Sequence, residues 1–410
     1  MARDQRLSAL TGADRRLAHE IAAGVLRSRS ALDSRLAPLA SGRWERIETR
    51  LREILRIGAY QLLSLDRVPA HAAVSTAVSL AREQLRPGAA RLVNAMLRRL
   101  AAGDPGAAAP APDRHASAAA RLARAHSHPE WLVSRWISRF GAEATEALLR
   151  WNDERPPLVL QPVTGTVDAL LEDLRRGGIA AELAPFAAGV VVPRAHPRDL
   201  PGYAEGRWVV QDPAQSLVLA FAAIPDGSLV YDACAAPGGK AVRLAAGRRV
   251  IAGDRSRARV ARLRETVARV GAPVRVVLAD AARPPIKTAD VVLIDAPCTA
   301  TGTLRRHPDA RQRLTAVGLR RLRRAQETLL AGAAFVVRTG GLLVYVTCSL
   351  EPEENVEQVG RFLRRHPEYR RAPSPGAVPP GTVTPEGDLE LLPQRHGTDG
   401  AYAARLERIA

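Results

Sequence analysis

Residues 229–246 read Leu-Val-Tyr-Asp-Ala-Cys-Ala-Ala-Pro-Gly-Gly-Lys-Ala-Val-Arg-Leu-Ala-Ala, or LVYDACAAPGGKAVRLAA. A short apolar run ends at Asp232, a Pro-Gly-Gly turn follows, and a helical stretch starts at Lys240. A glycine pair between a strand and a helix lets the backbone approach a ligand closely. It also points free N–H groups and the positive end of the helix at an anion. The turn is not GxGxxG, which disfavours NAD or FAD. It is not GxxxxGK[ST] either, which disfavours a phosphate-cradling P-loop.

Outward from this turn, short apolar runs alternate with helical stretches. The runs are Leu229–Tyr231, Val250–Ala252, Val274–Leu278, Val291–Ile294 and Leu342–Val346. The helical stretches are Lys240–Ala246, Arg257–Val270 and an Arg-rich segment near Leu319–Val337. This rhythm predicts an α/β domain built on a doubly wound parallel sheet. Asp232, Asp254 and Asp280 fall at three consecutive strand ends. The second is placed to grip ribose hydroxyls and the third to meet an adenine amino group, so a nucleoside ligand is expected. The fourth strand runs into Asp295-Ala-Pro-Cys298 and the fifth into Val346-Thr-Cys348-Ser349. All three cysteines of the chain therefore sit in loops at the carboxyl edge of one sheet. Cys234 is expected to pack while its backbone binds; Cys298 and Cys348 are free to react.

Amino-terminal to this region the pattern is helical. Arg15–Leu26 places Leu17, Ile21, Val25 and Leu26 on one face, and Ile47–Leu65 does the same with Leu51, Ile54, Leu55, Gly58 and Leu62. Val68-Pro69 interrupts the pattern, and Ala72–Leu80 and Ala89–Leu100 resume it, which predicts an all-helical bundle. Ala101–Ala111 has the composition of a linker. Ala116–Arg150 is helical, with Trp131, Trp136 and Phe140 as expected core anchors. Leu158–Val163, Val167–Gly177 and Gly189–Pro193 outline a small α+β segment. The expected divisions are 1–125, 126–215 and 216–410.

The 410 residues carry 60 Lys plus Arg against 42 Asp plus Glu, a net charge of +18. Only Lys240 and Lys287 are lysine. Residues 1–100 hold 18 Arg against 9 acids, half of the surplus in a quarter of the length. Such a field points to an anionic partner. Three cysteines exclude a disulfide framework and a four-cysteine zinc site. His126-Ser-His128 has no further ligand at suitable spacing, so no metal is expected. The absence of a leader pattern and of an 18-residue apolar stretch predicts a cytoplasmic protein without membrane spans.

DACAAPGGK, DAPCTATGTLRRHP, TCSLEPEEN and the tail GTDGAY resemble the RNA cytosine-C5 methyltransferases that use S-adenosylmethionine. The order of helical domain, mixed segment and catalytic sheet is similar to the bacterial 16S rRNA cytosine-5 methyltransferases of the RsmB, Fmu or Sun type. LRIGAYQLLSLDRVPAHAAVSTAV and RLVNAMLRR resemble the NusB-like helical domain of that family, while SHPEWLVSRW and VVQDPAQSLV match its linking region. The resemblance covers nearly the whole chain. One departure follows Arg305-Arg-His-Pro308. The family commonly continues Ile-Lys-Trp, whereas this chain has Asp309-Ala-Arg-Gln-Arg.

The resemblance implies an S-adenosylmethionine-dependent enzyme acting on 16S rRNA as a monomer, with a Rossmann-like catalytic domain. It implies cofactor contacts at Cys234, Ala235, Ala236, Pro237, Gly238, Gly239, Lys240, Asp254, Arg259, Asp280 and Asp295. It also implies catalytic roles for Cys348, Cys298, Asp295 and Lys240. C5 of cytosine is a poor nucleophile, and a thiolate adding to C6 makes C5 enamine-like. The residues alone leave open which thiol adds, because DNA cytosine methyltransferases use the cysteine of a Pro-Cys motif, here Cys298. The resemblance assigns attack to Cys348 and product release to Cys298. Addition charges the ring, and Asp295 is suited to meet that charge at N3. Lysine persists at 240 in an arginine-saturated chain, which suggests that a compact charge is needed there. Arg305, Arg306 and Arg320–Arg324 are expected to track phosphates, and the target base must leave any stack to be reached. Two other readings stand beside this one: an N-methyltransferase, which would carry Asn-Pro-Pro-Tyr in place of Asp295-Ala-Pro-Cys298, and an RNA-binding assembly factor without turnover.

Overall fold

The computed structural model describes residues 10–40, 44–104, 115–193 and 195–410. Residues 105–111 of the expected linker lie outside that set. The chain forms two compact units. The first contains the described residues up to Glu154 together with His307–Arg313; the second contains Arg155–Arg306 and Leu314–Ala410.

The first unit is helical: Gly12–Arg27, Arg29–Leu36, Thr49–Ser64, Ala70–Gln84, Ala89–Ala101, Ala118–Ala125, Glu130–Phe140 and Ala142–Asp153. Leu36, Leu55, Ala59, Val93 and Leu97 are fully enclosed. Gly58 allows a close helix crossing, since a Cβ there would lie 2.4 Å from Leu97 Cδ1. Helix Arg29–Leu36 has too narrow an apolar stripe to be seen by periodicity. Its neighbour's buried Arg56 holds it through two hydrogen bonds to Asp33, of 2.6 and 2.7 Å. Leu17 departs from its expected place: it is 42% exposed, the apolar face being carried by Val25. Of the three expected aromatic anchors only Trp136 is fully buried, while Trp131 and Phe140 are half-exposed.

The second unit carries two sheets. The smaller is antiparallel, from β1 (Leu158–Pro162), β2 (Glu182–Leu183), β3 (Val190–Val192) and β4 (Trp208–Val210), in the order β2-β3-β1-β4. Helix Val167–Arg176 covers it through Leu170, Leu171 and Leu174. Strand β4 had no counterpart in the sequence pattern; Trp208 fixes it from a buried position, donating Nε1–H to Pro201 O at 2.8 Å.

The larger sheet has β5 (Leu229–Asp232), β6 (Arg249–Asp254), β7 (Val274–Leu278), β8 (Ala289–Asp295), β9 (Val337–Thr347), β10 (Tyr369–Arg371), β11 (Leu389–Leu391) and β12 (Ala401–Arg408). Its order is β10-β12-β9-β8-β5-β6-β7, with β11 also on β12. Strands β5 to β9 pair in parallel. Beyond the parallel strands expected from the sequence, the sheet is extended by β12, antiparallel to β9, and by β10, antiparallel to β12. β12 follows β11 by a short connection and so enters antiparallel, whereas helix Val356–Arg365 carries the chain from β9 to β10. The pleat sends alternate residues to two cores, as a sheet covered on both faces requires. Val230, Leu293 and Val344 pack with Phe221 on one face, and Tyr231, Val292 and Tyr345 pack with Leu330 and Phe362 on the other. Strand β5 lies between β6 and β8, so the chain reverses direction across the sheet there. A crevice for ligand at the carboxyl ends follows from that reversal.

Candidate active site

The turn after β5 is built on Gly238, whose φ is +111°. A Cβ there would also lie 2.8 Å from Leu263 Cδ1 on helix Arg257–Val270, so the position demands glycine. Ala235 N–H donates to Gly253 O at 2.9 Å and ties the turn to β6. Ala235, Ala236, Pro237, Gly238 and Gly239 form the bend that leads into helix Gly239–Leu244.

Beside the turn lies a cavity of about 680 Å³, lined among others by Cys234, Asp254, Arg259, Asp280, Arg321 and Leu322. Asp254 ends β6 and is buried; its Oδ1 accepts Ser256 N–H at 2.9 Å, and its Oδ2 accepts Arg259 Nη1–H at 3.4 Å. Asp280 Oδ1 accepts Ala282 N–H at 3.0 Å. Burial, reinforced by nearby carboxylates, pushes the Cys234 thiol up, which keeps it protonated. Arg321 and Leu322 were expected on an RNA-facing helix. Their place in this cavity could not be read from sequence, because helix Ala316–Ala334 meets the β5 to β7 loops only through the winding of the sheet.

Lys240 is buried, and its Nζ donates to Asp295 Oδ2 at 2.7 Å across the β5/β8 crevice. Asp232 is 1% exposed, and both of its carboxylate oxygens are sealed from water. Burial pushes its pKa up to about 7, against the pull of Lys240 and with the help of Asp295 and Asp254.

The loops after β8 and β9 bring Cys298 Sγ and Cys348 Sγ to 3.4 Å. A hydrogen bond to Cys348, then burial, then the charges of Cys348 and Glu354 hold the Cys298 thiol well above its ordinary range. Glu354 is fully enclosed and clamps the Cys298 loop. It accepts Thr299 N–H at 3.1 and 3.2 Å, the Thr299 hydroxyl, and Gln326 Nε2–H at 2.9 Å. Burial raises its own pKa, against these hydrogen bonds. Gly302 N–H donates to Cys348 O at 2.9 Å, and Gly400 N–H donates to Gly302 O at 2.8 Å. A Cβ on Gly302 would stand 2.6 Å from Gly400 Cα, so three loops cross by backbone alone.

Three segments match known families: residues 220–407 the 16S rRNA methyltransferase RsmB/F family, residues 2–102 the NusB family, and residues 128–197 the ferredoxin-like domain of RsmF/B-like methyltransferases. The chain is 34% identical to the probable ribosomal RNA small subunit methyltransferase B of Synechocystis, over 97% of this chain and 92% of that one. It is also 34% identical to ribosomal RNA small subunit methyltransferase B of Pseudomonas putida, over 97% and 91%. The chain belongs to the RsmB/F family of rRNA small subunit methyltransferases.

Among solved structures, the RsmB/F-family chain is similar to the protein PH0851, at a TM-score of 0.79 and 25% identity, covering 97% of this chain and 91% of the other. It shares its fold with NSun6 from Pyrococcus horikoshii, solved with SFG, at a TM-score of 0.60 and 20% identity, over 69% and 98%.

Within this RsmB/F-family chain, Arg306, expected to track phosphates, is instead engaged by the fold itself. Although desolvation opposes its charge, it is held between Asp212 at 2.6 Å and Asp399 at 2.5 Å, and it also donates to Pro157 O at 3.3 Å. Arg305 is only 4% exposed. The departure at Asp309–Arg313 contains Arg311, which is fully enclosed in the first unit. Its guanidinium donates to Arg27 O at 3.2 Å, His126 O at 3.1 Å, Asp153 Oδ1 at 2.9 Å and Asn152 O. His126 and His128 join the same network, His126 against Asp153 at 2.7 Å and His128 against Asn152 at 3.2 Å. Among the described residues, no group of three or more His, Cys, Asp or Glu could hold a metal, and no helix is long and apolar enough to cross a membrane.

Proposed function

We propose that the chain transfers a methyl group from S-adenosylmethionine to C5 of a cytosine in 16S rRNA, through a covalent Cys348–C6 adduct. The carrying observation is the pair of thiols 3.4 Å apart at the ends of neighbouring strands. Pro297, next to Cys298, lines the cavity that holds Asp254 and Asp280. That cavity suits the cofactor: a buried carboxylate for the ribose, a second acid for the adenine, and apolar walls from Leu322 and Leu329. Cys234, the 235–239 turn and Arg259 complete the contacts. When bound, the cofactor supplies an electrophilic sulfonium methyl.

The Cys348 thiolate adds to C6 and the ring takes up negative charge. The Lys240–Asp295 pair meets that charge at N3 in a water-poor crevice. C5 then takes the methyl, the C5 proton passes to a base on the Cys298 side, and the S–C6 electron pair returns to Cys348. The hydrogen bond to Cys348 and burial keep the Cys298 thiol protonated, so it is the poorer nucleophile of the two positions that the resemblance separates. The divisions 1–125, 126–215 and 216–410 serve RNA docking, linkage and catalysis in a cytoplasmic monomer.

Full-length protein with methyl-labelled S-adenosylmethionine and precursor 16S rRNA should place label on C5 of cytosine in a nuclease digest. Label on a ring or exocyclic nitrogen would overturn the reading. Asp254→Ala should weaken S-adenosylmethionine by roughly 1.5–3 kcal/mol, the worth of a charge-assisted hydrogen bond, about 10- to 150-fold in Kd by calorimetry. Arg82, Arg86 and Arg91 are exposed on the helical unit. Their joint replacement by Gln should flatten the dependence of RNA affinity on salt, by roughly 0.7 in slope for each phosphate no longer neutralised. An unchanged slope would show that this face does not meet RNA.

A further inference from the structure

A second cavity in the catalytic unit, of about 570 Å³, is lined by Thr166, Ser216, Arg243 and Arg248 among apolar neighbours, and by no acidic residue. Arg243 comes from helix Gly239–Leu244 and is largely withdrawn from water, so burial pulls its guanidinium down. Both of its hydrogen bonds leave from Nη1, to Gln211 Oε1 at 3.0 Å and Ser216 Oγ at 2.8 Å, and both acceptors are neutral. Among the described residues it has no carboxylate partner. Its Nε and Nη2 donors are not among the sealed polar atoms, so solvent reaches them, and the side chain lines the cavity. Arg248, by contrast, is spoken for: it pairs with Asp226 at 3.0 Å and donates to Ile224 O at 2.9 Å. Asp168, the acid in the first turn of helix Val167–Arg176, is outside the lining.

A buried cation held only by neutral acceptors is incompletely compensated for its lost hydration. Its free fork of donors matches a phosphate bidentately. We infer that this cavity seats a phosphate of the RNA backbone, with Arg243 as its counter-ion. The inference rests on the RNA methyltransferase reading. The seat is joined to the loop after β8 through consecutive residues, since Gln211 holds Arg243 while Asp212 holds Arg306, eight residues after Cys298. A phosphate bound there sets the register of the strand whose cytosine enters the thiol site.

The same donors would accept inorganic phosphate, so the test separates the two sources. Binding of full-length protein to a 16S rRNA fragment is measured across a potassium chloride series for wild type, Arg243→Gln and Arg243→Lys. The Gln variant should lower the slope of log affinity against log salt by about 0.7–0.9, one phosphate's worth, and the Lys variant should keep it. S-adenosylmethionine affinity should be unchanged in both, which shows that the fold survives. An unchanged slope in the Gln variant, with wild type still binding RNA, overturns the inference alone. Wild type that binds no RNA overturns the functional reading and the inference with it. Should the Gln variant not fold, wild type decides: inorganic phosphate should displace RNA more strongly than chloride at equal ionic strength, and equal displacement overturns the proposal. Phosphate that raises the melting temperature of wild type but not of Arg243→Lys, while leaving RNA binding untouched, would mark a free-phosphate site and also overturn it.

Discussion

Cys298→Ala should accumulate a protein–RNA adduct that survives denaturing electrophoresis, and Cys348→Ala should form none. The expectation follows from the shared site of the two sulfurs and their unequal surroundings. They are 3.4 Å apart, yet Cys298 lies under the influence of Glu354, whose carboxylate is bound to the next residue, Thr299. With Cys348 as the proposed attacker, its removal takes away the nucleophile and should reduce methyl transfer by on the order of 10⁴-fold or more. Removing Cys298 leaves attack and methylation possible but blocks release, so product stays bound to Cys348. The double variant should trap nothing. Were Cys298 the nucleophile, Cys348→Ala would be the trapping variant, and the pattern on the gel would invert. Normal turnover in both single variants would sink the covalent route.

Asp232→Asn should remove a pH dependence of stability worth about 4 kcal/mol between pH 4 and 7. In the unfolded chain Asp232 ionises near its ordinary value; in the folded protein burial holds it up to about 7. Folding therefore favours the protonated acid. The stabilisation is complete below pH 4, falls away as pH rises towards 7, and is absent above it. The neutral amide has nothing to ionise, so the variant should gain on wild type steadily across that window. Urea titrations of both proteins at pH 4.5, 6 and 7.5 measure the difference. A constant gap at all three values would mean that Lys240, 55 residues before its partner Asp295, also neutralises Asp232.

The turn from Asp232 to Lys240 and the strands β5 to β9 were legible in the sequence because their signals are local. Apolar runs of strand length, a glycine pair and acids at the run ends each depend on a few neighbouring residues. The helical character of the amino-terminal third was legible for the same reason. What stayed hidden was long-range. β12 is not singled out by its local pattern, and its antiparallel place against β9 is set by pairing across 55 residues, Tyr402 against Thr347. Glu354 sits in a stretch that could be singled out, yet its grip on Thr299 and Gln326 spans 55 and 28 residues. Arg306 and Arg311 look alike as basic residues in one arginine-rich loop. One is locked between two carboxylates and the other is enclosed by carbonyls 159 to 284 residues away. Charge counting takes both for surface charge, because it cannot see which arginines the fold has already used.

The excursion His307–Arg313 has a genealogical consequence. The helical bundle looks like a cassette that could be cut at Glu154 and joined to another enzyme. Yet it is completed by a segment encoded far downstream, in the middle of the catalytic region. A cassette cut there would leave the carbonyls of Arg27, His126 and Asn152, with the Asp153 carboxylate, facing an empty slot where Arg311 belongs. A front exchanged without that downstream segment should therefore lose this buried network, whereas one that carries it along should keep it.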